Sequence, residues 1–197
     1  MSYSQANEEE AILAHLPETG VLLDVGAFDG KTFSNSRALI EKGWKGVLVE
    51  PSCDAFSALM RLYKDRNDLC LLQAAVSTEI GIVPFWSSPD AVSTTSAKHR
   101  ARWDGHAAFY PGSWTTAVTF AHLFATFPIL KEMQFLNIDA EGISAQLFFA
   151  FPFSALIRPK VVCVEYDNMK SEILVTAYSF GYECVLSTNE NLVLVHG

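Results

Sequence analysis

Seven residues, Asp24-Val25-Gly26-Ala27-Phe28-Asp29-Gly30, set two carboxylates and two glycines directly after the apolar run Val21-Leu22-Leu23. Glycine lets a backbone turn tightly and approach a ligand without interference from a Cβ. A helix that follows such a loop offers unpaired N–H groups beside the ligand. A second apolar run, Val47-Leu48-Val49, ends in Glu50 and is stopped by Pro51. Glu50 stands 26 residues after Asp24, the spacing of a strand, a loop, a crossover helix and a second parallel strand. A carboxylate placed there can accept two hydrogen bonds from a ribose diol. The pattern therefore points to an adenosine-bearing cofactor. Phe28 and Lys31 break the G-x-G-x-x-G spacing of a dinucleotide site, and Asp24 and Asp29 would repel a pyrophosphate. A sulfonium that also carries an ammonium group suits the same acids, which favours S-adenosylmethionine over NAD. Gln73-Ala74-Ala75-Val76 ends a third apolar run with small side chains where an adenine edge would sit.

Asp139 and Glu141 form a second acidic pair, in Ile138-Asp139-Ala140-Glu141-Gly142. Two positions apart in extended backbone, their carboxylates point the same way. They fall at the strand-end edge of a parallel sheet, where ligands bind. Three roles compete. Asp139 holds a methionine ammonium while Glu141 faces the methyl acceptor; or the pair binds Mg²⁺, for which two carboxylates are only part of an octahedral shell; or both cap the helix expected from Ile143. The residues favour the first role and the metal least, and no metal site is expected. Glu165, at the end of the next run, either points into the same cleft or makes an ion pair at the sheet edge.

Between about 87 and 128 the strand-helix alternation lapses into Ser, Thr, Ala, His and Arg, with Pro89, Gly105, Pro111 and Gly112 as breakers. Long irregular loops in compact domains are often lids. Lys98, His99, Arg100 and Arg102 make its densest basic patch, beside Trp103, with Trp114 further on. Either indole could stack on a sugar face. His99, His106 or His122 could deprotonate a hydroxyl.

The elements that must position these groups follow from periodicity. Strands are expected at Val21 to Val25, Gly46 to Glu50, Leu69 to Val76, Gly81 to Trp86, Gln134 to Asp139 and Val161 to Tyr166. Helices are expected at Asn7 to His15, Thr32 to Lys42 closed by Gly43, Asp54 to Lys64, Ile143 to Phe151 and Ser171 to Phe180. Val118 to Phe127 reads as a short strand turning into a helix. The final strands, Tyr182 to Leu186 and Asn191 to Val195, are separated by a link too short for a parallel crossover, so they form an antiparallel hairpin. Alternating β and α elements give a doubly wound, mostly parallel α/β sheet.

These motifs together resemble the FkbM-like methyltransferases: Asp24 to Gly30, Val49-Glu50-Pro51, Ala75-Val76-Ser77 followed by Gly81, and Ile138 to Gly142, with Pro159 and Val162 to Glu165 similar to the family's next strand. The resemblance implies a Rossmann-like class I methyltransferase fold and S-adenosylmethionine as methyl donor. It also implies O-methylation of a hydroxyl on a saccharide or small natural product. Cofactor contacts are then expected from Asp24, Gly26, Ala27, Phe28, Gly30, Glu50, Pro51, Ala75 and Asp139, with Asp24 or Asp139 accepting from the ammonium. Glu141, His122 and His99 are the candidate catalytic groups. The chain departs from the family pattern at Ser144, where an acid is usual, and at Thr119-Phe120-Ala121, where Thr-Leu-Asp is usual. An NAD(P)-dependent oxidoreductase, or a binding protein without turnover, are the alternatives.

Composition narrows the field. The 197 residues suit a single domain, 50% of them are hydrophobic, and Lys plus Arg (14) fall short of Asp plus Glu (22), for a net charge of −8. Such an acidic chain is a poor partner for nucleic acid. The expected partner is a small-molecule or glycan acceptor, without nucleic acid or membrane; the oligomeric state stays open. No signal peptide or membrane span is visible, and the four scattered cysteines read as buried, reduced thiols, so a cytoplasmic location is expected.

Overall fold

A computed structural model describes residues 2–197. Four apolar residues and Asp24 form β1 (Val21–Val25), which pairs in parallel with β2 (Lys45–Val49), and β2 in turn with β3 (Leu69–Leu72). On its other side β1 pairs in parallel with β7 (Phe135–Ile138), and β7 with β8 (Val161–Glu165). The hairpin of β9 (Tyr182–Ser187) and β10 (Asn191–His196) completes the sheet, and β10 inserts antiparallel between β8 and β9. The order is β3-β2-β1-β7-β8-β10-β9.

Alternate side chains of each strand face opposite ways, and the sheet is apolar on both faces. Leu22, Leu48, Phe135 and Cys163 pack with Leu39, Ile40, Trp44, Phe56 and Leu59. These come from α2 (Arg37–Glu41), the turn after it, and α3 (Cys53–Leu62), with Ile12 of α1 (Glu8–Leu13) on the same side. Leu23, Val49, Leu136, Ile138 and Val164 face the other core, with α5 (Phe120–Thr126), α6 (Ser144–Ala150) and α7 (Lys170–Ser179). Two-sided burial is what a near-continuous apolar strand requires.

Several boundaries differ from the sequence expectation. The helix expected from Thr32 begins only at Arg37, because Ser34, Asn35 and Ser36 are buried and spend their side chains on hydrogen bonds rather than on helix faces. The run Leu69 to Val76 is two strands. Its second half, β4 (Ala75–Val76), leaves for a separate three-stranded sheet with β5 (Gly81–Phe85) and β6 (Ser113–Val118), in the order β4-β6-β5. Part of the expected lid is therefore sheet. The remainder carries α4 (Ala97–Arg102), and a 3₁₀ turn at Pro128–Glu132 follows α5. Cys53 and Cys70 are exposed, not buried, since Cys53 opens α3 and Cys70 lies on edge strand β3; only Cys163 is fully buried. No described helix is long and apolar enough to cross a membrane.

Candidate active site

A cleft of about 920 Å³ runs along the C-terminal ends of β1, β2, β7 and β8 and is overhung by α4 and the loops beside it. Its floor begins at Gly26. The N–H groups of Gly26 and Ala27 both donate to the Val49 carbonyl (2.9 and 3.1 Å), which ties the loop after β1 to the end of β2. Gly26 has φ +85°, and a Cβ built there would stand 1.7 Å from the Asp139 carbonyl oxygen. Only glycine lets these two strand exits cross so closely. Gly30 has a different duty: a Cβ there would meet Leu59 and Tyr63, so it seats the loop against α3 and does not face the cleft. Gly30, expected among the cofactor contacts, thus lies outside the lining of the cleft.

Glu50 is buried at the end of β2, where its two carboxylate oxygens accept from the Phe28 N–H (2.9 Å) and the Ser52 N–H (2.6 Å). Phe28 reaches it because the loop turns through a positive φ of 49° at that residue. Each oxygen keeps further acceptor capacity toward the cleft. Burial raises the Glu50 pKa to about 7 against the pull of the two N–H donors, and the nearby Asp24 and Asp29 carboxylates add to the rise.

Asp24 also borders the cleft, and each of its oxygens accepts one side-chain hydrogen bond. Ser36 Oγ donates to it at 2.5 Å and Asn137 Nδ2 at 2.9 Å, while Asn35 Nδ2 donates to Asn137 Oδ1 at 3.2 Å. Burial raises its pKa and these side-chain donors oppose the rise. Sequence reasoning missed Asn35, Ser36 and Asn137. The one available signal was Asn137, a polar residue inside the apolar run Phe135 to Ile138.

Asp139 and Glu141 both line the cleft, but not from one extended strand. β7 ends at Ile138, and Glu141 has φ +23°, so the backbone is no longer extended between them. Asp139 stays at the sheet edge, where burial and then the charge of Glu141 hold its pKa well above the usual carboxylate range. Glu141 turns to the overhang instead: its Oε2 lies 3.0 Å from Nε2 of His99, and its carbonyl accepts from Thr94 Oγ1 at 2.6 Å. Neither caps α6; the Ala145 N–H is taken by Asp167 Oδ2 at 3.1 Å. Glu165 faces the cleft, its pKa pushed to about 10 by burial and then by Asp139 and Glu141. Ser144, which stands where the family usually has an acid, donates to Glu165 at 2.9 Å and accepts from the Ala140 N–H at 2.8 Å. A hydroxyl there stitches β8 to the loop after β7.

Of the three candidate catalytic groups, Glu141 and His99 meet and His122 does not. Thr119 caps α5 by accepting from the His122 N–H at 3.2 Å, and Phe120, Leu123 and Phe124 form the buried face. Position 122 is left on the exposed side of the helix, outside the cleft. His106 and Trp103 line the cleft; Trp114 is 65% exposed on the second sheet and does not. Ala27, Phe28, Pro51 and Ala75 line it too. Among the described residues, no group of three His, Cys, Asp or Glu side chains is placed to hold a metal ion.

A buried strand-end carboxylate with spare acceptor capacity suits a ribose diol, and an acidic edge suits a sulfonium and an ammonium better than it suits a pyrophosphate. The sheet order, with its inserted antiparallel strand, and this cleft define the Rossmann-like fold of class I methyltransferases. Residues 24–183 match the Methyltransferase FkbM domain, and the chain belongs to that family. The cofactor of the family is S-adenosylmethionine. Among solved structures, the methyltransferase FkbM from Methylobacillus flagellatus KT is similar at 14% identity and a TM-score of 0.56, over 91% of this chain. This chain spans 44% of that protein's length. The fibrillarin of Aeropyrum pernix, solved with natively bound S-adenosyl-L-methionine, is similar at 12% identity and a TM-score of 0.47, over 96% of this chain and 75% of its own. No curated protein matches the chain.

Proposed function

We propose that this chain catalyses S-adenosylmethionine-dependent methylation of a hydroxyl on a saccharide or small natural product. The observation that carries the reading is the single cleft in which the Gly26 loop, Glu50 and the Asp139–Glu141 loop meet under the His99 segment. The cofactor, when bound, supplies an electrophilic methyl group on a sulfonium. Glu50 holds the ribose diol through the acceptor capacity left over from Phe28 and Ser52. Asp139, which lines the cleft just past the end of β7, accepts from the amino-acid end. Methyl transfer is an in-line displacement, so most of the rate comes from holding acceptor oxygen and methyl in line. Glu141 takes the hydroxyl proton; its carboxylate is positioned through His99 and reaches the cleft from the loop after β7. The overhang from Pro89 to Ala107 limits water access to the reacting atoms.

The test has two arms. Calorimetric titration with S-adenosylhomocysteine and with NAD should give binding of the first alone; NAD binding without the other would overturn the cofactor assignment. Transfer of radiolabelled methyl to a panel of glycans and hydroxylated metabolites should label a hydroxyl oxygen. Labelling confined to amines would refute O-methylation.

A further inference from the structure

His99 is claimed by two neighbours that want opposite things from one atom. Its Nε2 lies 3.0 Å from Glu141 Oε2 and 2.9 Å from Trp103 Nε1. An imidazole nitrogen carries either a proton or a lone pair in the ring plane, and an indole N–H can only donate. Glu141 as a carboxylate can only accept, so it requires a proton on Nε2, whereas Trp103 requires a lone pair there.

The other ring nitrogen decides between them. Nδ1 is buried and has no hydrogen-bond partner. It lies against Gly142, where a Cβ would come within 2.7 Å of it. A proton on Nδ1 would be a buried, unpaired N–H, and orphaned buried donors are rarer than unfilled acceptors. A proton on Nε2 leaves Nδ1 a bare acceptor and completes a charge-assisted hydrogen bond to Glu141, the stronger of the two contacts. His99 is 5% exposed and fixed in place by Gly142, whereas Trp103 is 36% exposed and lines the cleft. The histidine stays with the glutamate, and the tryptophan is the partner able to move.

We propose that His99 Nε2–H is the fixed donor to Glu141, which leaves the Trp103 indole N–H to donate to an oxygen of the methyl acceptor. His99 is then a positioning residue and Trp103 an acceptor-binding one; the ligand group is a hydroxyl, ether or carbonyl oxygen. The inference rests on the cleft being a methyl-transfer site, but its test reads the protein's own protons.

In the intact chain with S-adenosylhomocysteine added, ¹⁵N NMR of labelled histidine should report His99 protonated on Nε2, assigned by loss of the signal in His99→Gln. The Trp103 indole N–H, assigned by Trp103→Phe, should exchange with water as an unbonded group does. Glu141→Leu removes the acceptor and should move the proton to Nδ1 while slowing exchange at Trp103. Wild-type His99 found protonated on Nδ1, with a protected Trp103 N–H, overturns the proposal whether or not Glu141→Leu folds. Failure of S-adenosylhomocysteine to bind would instead sink the methyl-transfer reading, and calorimetry reports that separately.

Discussion

Lowering the pH from 8 to 6 should weaken binding of S-adenosylhomocysteine about tenfold, and Glu50 should be the cause. Each of its oxygens already accepts one backbone N–H, from Phe28 and Ser52, so a ribose diol needs the remaining lone pairs of an ionised carboxylate. With a pKa of about 7 the group is ionised in roughly 9% of molecules at pH 6 and roughly 91% at pH 8. Only the ionised fraction is competent, so the apparent Kd rises by about tenfold, or about 1.4 kcal/mol. Glu165, pushed to about 10, keeps its proton across the whole window and adds little to the slope. Isothermal titration at half-unit steps of pH measures the effect. Glu50→Gln should bind more weakly at every pH and lose the slope, since its single oxygen cannot serve both N–H donors and the diol. A Kd unchanged between pH 6 and 8 would refute the reasoning. So would a slope that persists in Glu50→Gln, because it would place the titrating group elsewhere.

Other consequences of the geometry can be checked by simpler means. Gly26→Ala should cost more than about 2 kcal/mol in urea unfolding, since its Cβ meets a backbone carbonyl in a left-handed conformation; an unchanged midpoint would mean the loops after β1 and β7 do not cross as described. Gly142→Ala places a Cβ 2.4 Å from Cβ of His99 at φ +83°, so it should detach the overhang, raising hydrogen exchange over residues 94–103 while leaving β1 and β7 protected. Glu165 has a folded pKa above its unfolded value, so its contribution to stability is full at low pH and is lost as pH rises toward about 10. Unfolding stability should therefore fall between pH 6 and 8 by about 1.4 kcal/mol per unit for each carboxyl that keeps its proton only when folded. Glu165→Gln should flatten that fall, and an unaltered slope would exclude Glu165 as its source.

Much of this was written in the chain before it folded. The apolar runs ending in Asp24, Glu50, Asp139 and Glu165 each became a strand of one parallel sheet, because a run that is apolar at every position has to be covered on both faces. A link of Thr188-Asn189-Glu190 left the last two strands no geometry but a hairpin. Local spacing could not reveal which acids remain available to a ligand. Asp24 and Glu50 look alike in sequence, yet Asp24 is held by the side chains of Ser36 and Asn137 and Glu50 by the backbone N–H groups of Phe28 and Ser52. Asp139 and Glu141 share a motif, but the strand stops at Ile138, φ turns positive at Glu141, and only Glu141 pairs with His99. Nothing in the sequence ranked His99 above His122, and only the fold brings His99 to Glu141. Periodicity is a property of neighbours along the chain and fixes elements; hydrogen-bond partners more than 40 residues apart, such as Thr94 and Glu141, exist only after packing, and they decide which side chains are left to do chemistry.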